Sequence, residues 1–102
     1  MSIPKIHRED DTLTVCINGG FNLWVKNMIT NHIGEEIQNL DIDLTNCKYI
    51  DTEGIIFLYE WQQNDQKLQL KNPPEVFFGM LDILELSDSW QPNIINKNEE
   101  LL

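Results

Sequence analysis

Leu40-Asp41-Ile42-Asp43-Leu44-Thr45-Asn46-Cys47-Lys48-Tyr49-Ile50-Asp51-Thr52-Glu53-Gly54 changes its hydrophobic period partway along. From Leu40 to Leu44 apolar and polar residues alternate, which is the period of a half-buried strand. Asn46-Cys47 reads as a turn, and Tyr49-Ile50 leads toward the next element. From Ile55 to Gln63 there is no Pro or Gly, and the apolar residues fall at helical spacing. Asp51-Thr52-Glu53-Gly54 therefore stands where a strand-side loop becomes a helix. A Thr at such a junction can cap the helix, and its hydroxyl lies beside backbone N–H groups that lack intrahelical partners. Those groups and the helix dipole also favour an anion. A hydroxyl that can cap or carry a phosphate is a candidate switch.

Working back toward the N-terminus, Ile3–His7 and Leu13–Ile17 read as two short strands joined by the acidic turn Glu9-Asp10-Asp11. Gly19-Gly20 breaks the second strand, and Asn22 is a good N-cap for a helix from about Leu23 to Ile33. Val25, Ile29 and Ile33, with Met28 and Ile37 beside them, give that helix one buried stripe, and Trp24 and Lys26 fall outside it. On the second helix Glu53, Glu60 and Asn64 share one face. The apolar arc of Ile55, Ile56, Leu58 and Tyr59 is wide enough to meet both a sheet and a neighbouring helix. Phe57 lies at the margin of the polar face, one turn beyond Glu53.

Toward the C-terminus, Lys67–Leu70 reads as a strand. Asn72-Pro73-Pro74-Glu75 has the look of a helix start, with Asn as the cap and Pro in the first turn. Val76, Phe77, Met80, Leu81 and Leu84 form the apolar face of that helix. Asn93–Ile95 reads as a last edge strand, and residues 96–102 as a flexible tail after a domain spanning 1–95. Strands alternating with helices after an initial hairpin indicate an α/β class with a small mixed β-sheet and packed α-helices.

The 102 residues suffice for one domain with a core of its own. A net charge of −10, from 17 acidic against 7 basic residues, argues against nucleic acid as a direct partner, because phosphate contacts need Lys and Arg. No apolar run approaches transmembrane length and no signal-peptide pattern opens the chain, so the expected location is cytoplasmic. Cys16 and Cys47 lie in no metal or CxxC pattern and read as free thiols, one of them buried. His7 and His32 have no Ser, Cys or carboxylate at a catalytic spacing, and Gly19-Gly20 lacks the rest of a phosphate-cradling motif. Neither enzymatic activity nor a cofactor is expected.

Asp43-Leu44-Thr45, then Tyr49-Ile50-Asp51-Thr52-Glu53-Gly54-Ile55, then Asn72-Pro73-Pro74-Glu75-Val76 resembles the STAS domain, the fold of bacterial anti-sigma factor antagonists. The order and spacing match from about Thr12 to Ile95. The resemblance implies phosphorylation at Thr52, the hydroxyl residue after the Asp. It also implies a partner, an anti-sigma factor with serine-kinase activity that binds the ATP itself. The expected partner-binding set is Asn22, Asp51, Thr52, Glu53, Gly54 and Phe57, in which Phe57, with Trp61 beyond it, enters by its position on the helix as an apolar contact near Thr52. Asp51 either bonds to loop N–H groups or presents Thr52, and Gly54 permits close approach of a backbone from this domain or from a partner. Two positions depart from the family pattern. Glu53 stands where a small residue is common, and Asn22 where Asp is frequent.

A second reading keeps the same fold. STAS-only accessory subunits of ABC-type phospholipid transporters are also similar, and there Thr52 is a contact on the ATPase with no need of phosphate. A third is the minimal subunit of a large stress-sensing assembly of STAS proteins.

Overall fold

Alternation at period two decides where the sheet faces. In a computed structural model that describes residues 3–96, β1 (Lys5–Glu9) and β2 (Thr12–Cys16) form an antiparallel hairpin. Then β4 (Asn39–Asp43) pairs parallel with β2, β6 (Lys67–Lys71) with β4, and β7 (Asn93–Ile95) with β6. The sheet order is β1-β2-β4-β6-β7, so the sheet is mixed, with the short β7 at one edge. Register aligns Leu13, Leu40 and Leu68 in one row, and Val15, Ile42, Leu70 and Ile94 in the next. These rows face the core. The alternate residues Thr14, Asp41 and Gln69 form a row on the opposite, polar face.

Three helices cover the apolar face. They are α1 (Leu23–His32), α2 (Thr52–Gln63) and α3 (Glu75–Ile83). Val25 and Ile29 of α1, Ile55, Leu58 and Trp61 of α2, and Phe77 and Leu81 of α3 are buried. Full burial of each large apolar side chain contributes about 1.5–3 kcal/mol, so this shared core outweighs any single cap or ion pair. As its wide apolar arc predicts, α2 touches β6 and both other helices.

A second, two-stranded sheet was not foreseen. β3 (Gly19–Phe21) pairs parallel with β5 (Cys47–Ile50). Gly19-Gly20 does not simply end a strand, and Cys47 belongs to a strand rather than a turn. The reason is tertiary. The Tyr49 ring occupies the space that a Cβ on Gly20 would need, so the glycine lets β5 lie against β3.

Other boundaries move for local reasons. β1 lies two residues beyond the expected Ile3–His7, because the reversal is made at Asp10, in the left-handed region with φ 55°. Asn and Asp tolerate that region best among residues with a side chain. Asn72 takes the same conformation (φ 51°) and does not cap α3. Its side-chain amide donates to Thr45 Oγ1 at 2.8 Å, and Pro74 takes the N-cap position with no side-chain bond. Residues 97–102, most of the segment read as a tail, lie outside the described residues.

Candidate functional site

Parallel pairing of β3 with β5 sets Phe21 opposite Ile50, so the next residues, Asn22 and Asp51, open α1 and α2 side by side. The Asp51 N–H donates to the Phe21 carbonyl at 3.0 Å and ties the two junctions together. Both caps have extended backbone and the same bonding pattern. Asn22 Oδ1 accepts from the Val25 N–H at 3.0 Å, and Asp51 Oδ1 accepts from the Gly54 N–H at 3.2 Å. The place has a general significance, since open α/β sheets bind beyond the carboxyl ends of parallel strands.

Asp51, not Thr52, is therefore the N-cap of α2. Thr52 is the first helical residue, exposed, and its hydroxyl makes no hydrogen bond among the described residues. Of the two roles expected for Asp51, the structural one is present, though the N–H it bonds is that of Gly54 in the first turn of α2 rather than one in the loop. Glu53 follows, exposed in the first turn.

Gly54 is buried, and the backbone it admits belongs to this domain. A Cβ there would come within 3.0 Å of Phe21 Cγ and 3.1 Å of both its Cδ1 and its carbonyl oxygen. Phe57, half-buried, sets its ring edge-on to the same Phe21 at a centroid distance of 6.4 Å and 73°. Phe21 thus supports Asp51, Gly54 and Phe57 together, although its sequence context showed only a Gly-Gly-Phe-Asn turn. Trp61 lies deeper, at the base of the hollow that Glu53 and Phe57 also line. It is buried, and its indole N–H donates to the Lys67 carbonyl at 2.8 Å.

Two aromatic residues absent from the sequence-derived set border this end of the molecule. Trp24 is 42% exposed and Tyr49 55% exposed, and both line one hollow with Asn22 and Gly20. The available signal was the placement of Trp24 off the apolar stripe of α1.

Burial pushes the Cys47 thiol up to about 11, partly opposed by backbone hydrogen bonding at Tyr49 and Phe21. Its S–H donates to the Tyr49 carbonyl at 3.3 Å, and such a thiol stays protonated and unreactive. Cys16 is also a free thiol, half-buried at the end of β2. His7 and His32 are exposed. Among the described residues no group of three or more His, Cys, Asp or Glu is placed to hold a metal ion, and no helix is long and apolar enough to cross a membrane.

No protein-family model matches the chain, and no curated protein matches it in sequence. Solved structures do match. The anti-sigma factor antagonist SpoIIAA in its unphosphorylated form is similar at a TM-score of 0.67 and 13% identity, over 96% of this chain and 92% of that one. The Bacillus cell fate determinant SpoIIAA in its phosphorylated form gives 0.68 at 10% identity, over 96% of each chain. An anti-sigma factor antagonist from Mycobacterium paratuberculosis gives 0.68 at 12% identity, over 96% of this chain and 89% of that one. At these identities the likeness is one of architecture, and it extends along nearly the whole chain. The three helices and mixed sheet built around the paired junctions are the STAS fold, the fold of these anti-sigma factor antagonists.

Proposed function

We propose that this chain is an anti-sigma factor antagonist, a cytoplasmic protein-binding module that holds a serine-kinase anti-sigma factor and is released when Thr52 is phosphorylated. The observation that carries this reading is the division of labour at the α2 junction. Asp51 performs the capping, so the exposed Thr52 hydroxyl has no structural bond to keep among the described residues. A plain N-cap was the competing account of that hydroxyl, and it does not apply. SpoIIAA, with the same fold, has been solved in both unphosphorylated and phosphorylated forms.

In this mechanism Asn22, Asp51, Thr52, Glu53, Gly54 and Phe57 form or support the partner face. ATP is bound by the kinase. Its γ-phosphoryl group passes to Thr52 Oγ1, the hydroxyl proton is lost, and ADP is the product. The phosphate adds about −1.5 to −2 charges and three acceptor oxygens. At the first position of α2 it meets unpaired N–H groups and the positive end of the helix dipole, so the fold tolerates it. A partner surface shaped for a neutral hydroxyl does not. The switch acts at the interface rather than by unfolding.

A second reading is favoured by Glu53 alone. A carboxylate exposed immediately after the hydroxyl opposes an incoming phosphate, and this suits an accessory subunit of an ABC-type phospholipid transporter that docks its ATPase through an unmodified Thr52. The test compares wild-type and Thr52→Glu baits in affinity capture from the native cells, followed by phosphorylation of wild type and Thr52→Ala by the purified captured kinase. Recovery of a kinase-type anti-sigma factor by wild type alone, with label lost in Thr52→Ala, is the expected result. Recovery of an ABC ATPase by both baits would move the chain to the transporter class.

A further inference from the structure

α1 and α2 lie in contact, and between them runs a groove of about 260 Å³ whose lining includes Lys26, Thr30, Glu53, Ile56, Phe57 and Glu60. Its α2 wall has a regular pattern. Glu53 and Glu60 are two helical turns apart, about 10 Å along one face, and Ile56 and Phe57 fall between them on the intervening turn. Ile56 is 37% exposed although apolar. The two ion pairs within 4.0 Å among the described residues are His7–Glu9 and Arg8–Glu36, so no described cation neutralises either carboxylate on this wall. Lys26 stands across the groove on α1.

We propose that this groove receives a basic amphipathic helix of the partner protein. Cationic side chains two turns apart seat on Glu53 and Glu60, and an apolar side chain between them covers Ile56 and Phe57. The occupant follows from charge complementarity. The chain carries a net −10, and an acidic rim around an apolar strip selects cations flanking a hydrophobe. Lys26 on the far wall meets a carboxylate on the other edge of that helix and sets its orientation. The groove is continuous with the candidate switch, because Glu53 is both its first rim residue and the neighbour of Thr52. The assignment of the occupant to the regulatory partner rests on the proposed function, while the groove's preference for a basic helix does not.

The probe is a synthetic fluorescein-labelled helical peptide with Lys at two positions two turns apart and Leu between them. Binding is followed by anisotropy, and its location by amide chemical-shift changes. Changes confined to the α1–α2 groove are expected, with affinity falling as salt rises. Glu53→Lys/Glu60→Lys weakens binding about tenfold, and a peptide with Glu in place of both Lys restores it. Ile56→Ser weakens binding about tenfold without charge rescue. Absence of binding, shifts elsewhere, equal binding by the Glu peptide to wild type, or self-association of the free chain through this groove would overturn the proposal. A Glu60→Lys bait separates the two readings. If it keeps the kinase that Thr52→Glu loses, the groove assignment fails and the antagonist reading stands. If Glu60→Lys loses the kinase and Thr52→Glu retains it, the groove assignment stands without the phospho-switch.

Discussion

The β3–α1 and β5–α2 junctions are built alike and filled differently. Each leaves a parallel strand at a paired residue, caps its helix with an Asx side chain onto the N–H three residues on, and enters the same layer. Their first turns then diverge, Leu23-Trp24-Val25 in one and Thr52-Glu53-Gly54 in the other. Val25 fills core space, whereas Gly54 leaves its space to Phe21. Position for position, the α1 junction presents apolar bulk where the α2 junction presents a hydroxyl and a carboxylate. Because the caps are equivalent, the divergence is not needed to start a helix. It lies in the residues that follow the caps, where α2 alone exposes a hydroxyl and a carboxylate.

The largest effect should come from making the third positions alike. Gly54→Val drives its side chain into Phe21 and is expected to cost about 2 kcal/mol in urea-denaturation stability, net of any gain in helix propensity. Equal unfolding midpoints for wild type and variant would mean that Phe21 moves freely and the two junctions are not rigidly coupled. A smaller effect tests the equivalence of the caps. Asn22→Ala and Asp51→Ala should each cost about 1 kcal/mol, whereas Thr52→Ala should cost less than about 0.5 kcal/mol because its hydroxyl bonds to none of the described residues. Comparable losses for Thr52→Ala and Asp51→Ala would return the capping role to Thr52.

The last effect shows no pH dependence near neutrality, appears only above pH 9.0, and concerns the paired strand starts, Gly19 and Cys47. Burial raises the Cys47 thiol from an ordinary value of 9.0 to about 11 in the folded chain. The folded state therefore holds its proton more tightly. This stabilisation is fully present below pH 9.0 and is lost as pH rises toward about 11. Cys47→Ala should flatten the alkaline limb of the stability–pH curve, and at pH 8 iodoacetamide should modify Cys47 far more slowly than a free thiol peptide.

Legibility followed the range of the forces involved. The helices, the alternation of β2, β4 and β6, and the Asn22 cap depend on near neighbours, and periodicity showed them. β3 did not show, because glycines carry no alternation and its pairing depends on Tyr49, distant in sequence. Asp51 and Thr52 are adjacent and both suit an N-cap. What separates them is the anchoring of the Asp51 backbone to Phe21, a contact across the sheet. Asn72 departs from the expected cap for a related reason, since Asn serves caps and left-handed turns equally well. Trp61 looked like surface until its indole found the Lys67 carbonyl. The site residues themselves came from a motif resemblance, and their mutual support through Phe21 came only from the fold.

The burial of the three tryptophans gives the molecule an optical asymmetry. Trp61 and Trp90 are sealed in the interior, with indole N–H groups on the Lys67 carbonyl and Gln62 Oε1. Trp24 alone meets solvent, two residues from the Asn22 cap. Red-edge emission and sensitivity to a dissolved quencher therefore belong to one indole, fixed at the end of the molecule where the two helices begin. The chain reports contact at that end in its own fluorescence, with no label attached.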